Sequence, residues 1–123
     1  MTWGAVVKGV EVTKKGLGIV GENATQGMRR GARRWLEETA AASSQLVPRL
    51  TGHLARSVRV EMQDTIGGVK GSISYNAPYA AIVHEIPRPP SSNGQWKYLE
   101  QPFMERLPEL TNTVAAEVKR GAR

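Results

Sequence analysis

The feature that most constrains the fold is a stripe of side chains at helical spacing between residues 22 and 47. Met28, Ala32, Trp35, Leu36, Thr39, Ser43 and Leu46 recur at steps of three and four, on one face of a helix. Asn23 or Thr25 is placed to cap its start, Ala40, Ala41 and Ala42 favour its continuation, and Pro48 ends it near residues 45–47. Arg29, Arg30, Arg33 and Arg34 crowd its first half, and Glu37 and Glu38 follow one turn later, forming i,i+4 pairs with Arg33 and Arg34. A patch of four arginines within six residues reads either as a site for an acidic partner or DNA, or as a solvated, partly neutralised face.

The rest of the pattern changes period. Val58, Val60 and Met62 alternate with Arg59, Glu61 and Gln63, and after Gly67-Gly68 so do Val69, Gly71, Ile73 and Tyr75 with Lys70, Ser72 and Ser74. This predicts an antiparallel hairpin over 57–75 with one apolar and one wet face. Before the helix, Val6, Val7, Val10 and Val12 suggest a strand or extended arm over 5–13, and the glycines at 16, 18 and 21 suggest a loose connector, together an arm and connector over 1–21. After the hairpin, 79–85 predicts two helical turns, 86–95 a projecting proline-rich loop in which Pro87 and Pro90 have P-x-x-P spacing, and 99–118 a helix with Leu99, Phe103, Leu107, Leu110, Val114 and Val118 inward. Pro102 suits the first turn of that helix, whereas Pro108 predicts a kink or break near Arg106. These elements fit one α+β domain over 1–123, with the long helix of the N-terminal half and the C-terminal helix packed on a small antiparallel sheet.

Composition narrows the chemistry. The 123 residues contain 17 Lys and Arg against 11 Asp and Glu, a net charge of +6. The excess lies in the first half, where residues 1–56 hold nine basic and four acidic side chains and residues 57–123 hold eight and seven. Absence of cysteine excludes a disulfide scaffold, a thiolate zinc site and a cysteine nucleophile. His84-Glu85 begins like a zinc-protease helix motif, but position 88 is Arg88 where a second histidine is required, and His53 reads as a turn residue. Glu85 with Glu100 is the sole carboxylate pair to nominate, and no nucleophile elbow or phosphate loop is present. The sequence therefore predicts no catalytic residues, no metal site, no cofactor and no enzyme. With no basic-apolar leader and no apolar run of about 20 residues, it reads as soluble and made inside a cell.

The order of features resembles a known family. The arginine-bearing helix ending at a proline is followed by Pro48-x-x-Thr51-Gly52-x-Leu54-x-x-Ser57-Val58 and the glycine-centred hairpin. Then come Tyr75-Asn76-Ala77-Pro78-Tyr79-Ala80-x-x-Val83-His84-Glu85, a loop, and Trp96-Lys97-Tyr98-Leu99-Glu100-x-Pro102. Over residues 5–118 this is similar to the small neck proteins of long-tailed bacteriophages, the head-to-tail connector or tail-completion family, also labelled minor capsid or minor tail proteins. The chain departs from it at His84-Glu85-Ile86, where the family often has a Phe-Gly-Thr-like turn, and in the loop from Pro87 to Gly94.

The resemblance implies a structural, non-catalytic subunit in the virion neck of a siphovirus, assembled in the bacterial cytoplasm. It implies a ring of copies, six by expectation, between a stopper or adaptor on the head side and a tail terminator or tail tube on the tail side. Contact with passing double-stranded DNA would be non-specific, and no membrane is involved. On this reading Val6, Val7, Val10, Val12, Pro87, Arg88, Pro89, Pro90 and Trp96 are candidates for the interface between subunits or rings. The alternative is a small basic nucleic-acid-binding protein, suggested by the same arginines and a pI of about 10.1.

Overall fold

The computed structural model describes residues 6–18, 24–47, 52–77, 80–85 and 97–121, with backbone alone at 53 and 82. The chain forms strand β1 (Val6–Thr13), a single helical turn α1 (Lys14–Leu17), the long helix α2 (Ala24–Ser44) and the turn α3 (His53–Arg56). Strands β2 (Val58–Thr65) and β3 (Gly68–Tyr75), and helices α4 (Ala80–Glu85), α5 (Glu100–Arg106) and α6 (Leu110–Gly121) follow, with a 3-10 turn at Leu107–Glu109 between the last two. The architecture is α+β: helices on one face of a three-stranded antiparallel sheet in the order β1-β3-β2.

The register explains the alternation. Tyr75, Ile73, Gly71 and Val69 of β3 face Val6, Lys8, Val10 and Val12 of β1 and Val58, Val60, Met62 and Asp64 of β2, so all three strands turn one row toward the helices. Ile73 and Tyr75 of that row are buried in one cluster with Trp35 and Leu36 of α2, and Val69 in another with Met28 and Ala32. Two charges on the same row lie on the edge strands, and each has a partner. Lys8 reaches Glu100 at 3.6 Å, and Asp64 accepts from Arg29 Nε at 3.0 Å. Inward charges on edge strands discourage further strand addition there.

Helix α6 runs along α2 at unusually close range. A Cβ placed on Gly27 would lie 2.6 Å from Val118 Cα, and one on Gly31 would lie 2.6 Å from Val114 Cα. The approach buries Met28, Ala32 and Val114 in a second apolar cluster with Val12 and Val69. Pro108 breaks the C-terminal helix as expected. The Leu110 N–H turns to Leu107 O in the 3-10 turn, and the Trp35 indole N–H donates to Arg106 O at 2.9 Å.

Three boundaries differ from the sequence reading. The connector expected over 14–21 contains a helical turn, because the Thr13 hydroxyl caps the Gly16 N–H at 2.9 Å and Gly18 closes the turn with a φ of 68°. Helix α2 begins at Ala24, with Thr25 inside it, while Asn23 lies outside the described residues. The C-terminal helix continues to Gly121 rather than ending at 118. Of the strand or extended arm expected over 5–13, the strand is what forms: Val6 and Val10 pack on the chain's own core and Val12 is buried, so of the four valines offered to a neighbour Val7 alone is exposed.

Candidate functional site

The three segments that carry the family resemblance meet at the end of the sheet where β1 begins and β3 ends. Leu54 from the first, Tyr75, Ala77 and Ala80 from the second, and Tyr98 and Leu99 from the third are buried in one cluster, with Val58 and Val83 against it. Their polar atoms are committed to one another. Ser43 Oγ donates to Tyr98 O at 2.8 Å, so the Tyr75 hydroxyl, 2.8 Å away, donates to Ser43 Oγ. The Tyr98 hydroxyl donates to Ala80 O at 2.8 Å, and its ring meets Tyr75 and His84 edge to face at 5.0 and 4.9 Å. Burial pushes the Tyr75 phenol above its ordinary range, partly offset by its bond to Ser43.

His84 closes this cluster. It is 2% exposed, its Nε2 accepts the Glu100 N–H at 3.2 Å, and its Nδ1 therefore carries the proton that it donates to Glu85 Oε1 at 2.9 Å. Burial holds the imidazole below its usual pKa, against the opposing pull of Glu85. Both ring nitrogens are used, which leaves neither for a substrate.

Lys97 completes a clamp around the ends of the segment 86–96. Its N–H donates to His84 O at 2.8 Å, and its ammonium bridges Glu85 and, at 3.2 Å, Glu100. The two carboxylates nominated as an acid/base pair thus converge, but on a lysine that holds both below the usual carboxylate range. The Lys97 backbone has a φ of 54°, a left-handed conformation uncommon for a residue with a side chain. Neither the strain at Lys97 nor the burial of His84 is visible in the sequence, where His84 looked like an ordinary helix end. Pro87, Arg88, Pro89, Pro90 and Trp96 lie outside the described residues.

The four arginines of α2 are each engaged within the chain. Arg29 pairs with Asp64, Arg33 with Glu37 at 3.9 Å, Arg34 with Glu38 at 3.6 Å, and Arg30 and Arg34 reach Glu117 of α6 at 3.7 and 3.3 Å. Glu117 is 6% exposed and draws Arg120 as well, at 3.9 Å. The sequence stripe missed this residue because Glu117 lies between the apolar positions 114 and 118 without a signal of its own. The outward face of the sheet, where Gly9, Glu11, Glu61, Gln63, Lys70 and Ser72 lie, forms an open trough of about 610 Å³.

Among the described residues no group of three His, Cys, Asp or Glu side chains is placed to hold a metal ion, and no helix is long and apolar enough to cross a membrane. The chain matches no protein-family model, no curated protein and no solved structure. What fold and site define is an α+β module in which a buried His84 and a surface Lys97–Glu85–Glu100 cluster join the residues on either side of 86–96.

Proposed function

We propose that this chain is a structural subunit of the neck of a long-tailed bacteriophage, one of a ring of copies that joins the DNA-filled head to the tail. The observation that carries the reading is the convergence of the three signature segments on a single clamp. Leu54, Tyr75, Ala77, Ala80, Tyr98 and Leu99 of those segments share the main core with Trp35, Leu36 and Ile73, and His84 and Lys97, on either side of residues 86–96, are bonded to each other. The α+β architecture, with helices on one sheet face and the other open, also agrees with the resemblance. The site is read as scaffolding because His84, Glu85 and Glu100 are bound to one another and to Lys97.

The pairing of all four α2 arginines with carboxylates lowers the net charge of the patch, which counts against the rival reading as a nucleic-acid-binding protein. The test is a phage genome in which this reading frame is interrupted. Negative-stain images should show filled heads and finished tails that fail to join, with joining restored by the protein supplied in trans. Normal virions from the interrupted genome would refute the proposal, as would tight binding of the purified protein to duplex DNA that falls steeply with added salt.

A further inference from the structure

The β2–β3 hairpin ends in a two-residue turn, Ile66-Gly67, between the paired residues Thr65 and Gly68. Tight hairpin turns favour Asn, Asp or Gly in these positions, because the backbone must bend sharply and the side chains meet water. Here the first position carries isoleucine, and its side chain is fully exposed. The tip is held in place: Lys14 N–H donates to Gly67 O at 2.8 Å, and the Arg29–Asp64 pair ties the last part of β2 to α2. A large apolar side chain is thus mounted rigidly at the extreme of the molecule, where local turn chemistry gives no reason for it.

A receiving surface lies beside α5. Lys97, Glu100, Gln101, Met104 and Glu105 line a shallow, mostly apolar groove of about 380 Å³, in which Met104 is 56% exposed. The start of α5 lies at the other end of the sheet, where Tyr98 packs on Tyr75 and Lys8 meets Glu100. Helix α5 starts where Glu100 meets Lys8, five residues along β1 from Thr13 beside the tip, or about 17 Å at about 3.3 Å per residue, so a tip held by the Lys14–Gly67 bond cannot reach its own groove. Lys97 and Glu100 in the groove pair with each other, which leaves Glu105 as the charge that the groove offers. Lys14 and Lys15 flank the tip and pair with no carboxylate among the described residues, whereas Glu105 at the groove accepts from Gln101 and pairs with no basic side chain among them.

We infer that Ile66 of one copy docks into the Met104 groove of the next, with Lys14 and Lys15 against Glu105. The occupant is a second copy of this chain, because one molecule carries both the exposed apolar knob beside Lys14 and Lys15 and a groove edged by Glu105, with the knob anchored away from that groove. Such a contact is heterologous, so repeating it closes into a ring when the rotation per step allows. The closed ring rests on the neck reading; the docking itself does not. One knob covers far less than the roughly 1,200 Å² of a standard interface, so each joint is weak alone and gains strength from ring closure.

The absence of cysteine makes the test direct. Purified Ile66→Cys and Met104→Cys proteins, mixed and oxidised, should give a mixed disulfide dimer about tenfold more abundant than Ile66→Cys mixed with Ala115→Cys, an exposed control on α6, because docking raises the local thiol concentration. A mixed dimer no more abundant than the control overturns the inference, and so does a product dominated by Ile66–Ile66 dimers. Ile66→Asp supplies a second measurement at a position with no packing to lose. Its melting should match the parent while the concentration at which oligomers appear rises about tenfold, the equivalent of about 1.4 kcal/mol per contact. Oligomers formed at the same concentration would also overturn it. Failure of the cross-link leaves neck assembly to be judged by the interrupted genome, and virions that mature without the protein leave docking to be judged by the cross-link.

Discussion

Replacement of Gly31 by alanine sets two effects of known size against each other. Alanine is favoured over glycine in a helix interior by about 1 kcal/mol, so helix propensity alone predicts stabilisation. The new methyl group, however, would lie 2.6 Å from Val114 Cα and 3.3 Å from both Glu117 Cβ and Thr113 O. Carbon atoms in contact prefer about 3.5–4.0 Å, so α6 must retreat by about 1 Å. A backbone atom cannot change rotamer to escape, which puts the cost at the upper end of the 1–3 kcal/mol typical of overpacking, about 3 kcal/mol. The net expectation is a loss of about 2 kcal/mol, or about 8 °C in Tm for a domain of this size. Chemical denaturation gives the free energy, and Ala41→Gly, at an exposed position of the same helix, calibrates the propensity contribution. Gly27→Ala meets Val118 Cα at the same 2.6 Å and should cost about as much. One retreat of α6 relieves both clashes, so the double variant should lose clearly less than the sum. A Gly31→Ala protein more stable than its parent would refute the close helix approach on which this reasoning stands.

Other substitutions test the clamp. Ser43→Ala leaves the Tyr75 hydroxyl and Tyr98 O without their shared partner in a buried site and should cost about 1–3 kcal/mol. Adding Tyr75→Phe should then cost less than it does in the parent, a coupling that a double-mutant cycle measures. Because His84 is held below its ordinary pKa, the unfolded chain binds a proton near pH 6.5 that the folded chain refuses, so this group favours unfolding as the pH falls below about 6.5. His84→Gln should flatten the stability profile between about pH 6.5 and 5. Glu85, Glu100 and Asp64 have the opposite history: lowered in the folded state, they contribute stability above the usual carboxylate range and lose it on acidification through lower pH, below about 4.5. A wild-type profile already flat above pH 5 would contradict the neutral, buried assignment of His84.

The periodic elements were legible from sequence because burial imposes a period and the residues obey it. The stripe from Met28 to Ser43 is buried as expected, and the alternation from Val58 to Tyr75 marks the strand faces. Pro108 announced its break for the same kind of reason: a missing N–H is a local fact. Contacts decided between elements were not legible. Gly27 and Gly31 look like weak points in a helix until α6 is seen against them, and Glu117 looks solvated until Arg30 and Arg34 are seen to reach it. The arginine cluster illustrates the same limit. Sequence showed two of its partners, Glu37 and Glu38 at i,i+4 spacing, but Asp64 and Glu117 are 35 and 83 residues away from Arg29 and Arg34. At the clamp, nothing in the sequence says that His84, Lys97 and Glu100, apart along the chain, touch one another.

Lys97 decides whether the clamp is held by its charges or by its backbone. In most positions glycine is less stable than a residue with a side chain, by about 0.5–1 kcal/mol, because it has more freedom to lose on folding. Lys97 has a φ of 54°, where a side chain itself costs about 1 kcal/mol or more, so at this position the two effects oppose each other. Lys97→Met removes the ion pairs with Glu85 and Glu100 and keeps the strained backbone. Lys97→Gly removes the same pairs and relieves the strain. If the left-handed turn anchors the clamp, the glycine variant should be at least as stable as the methionine variant, and the Lys97 amide, bonded to His84 O, should exchange its hydrogen no faster in the former. A glycine variant weaker than the methionine variant by the usual glycine penalty would mean that the turn stores no strain. The ion pairs are tested separately by salt, which should weaken the parent but neither variant.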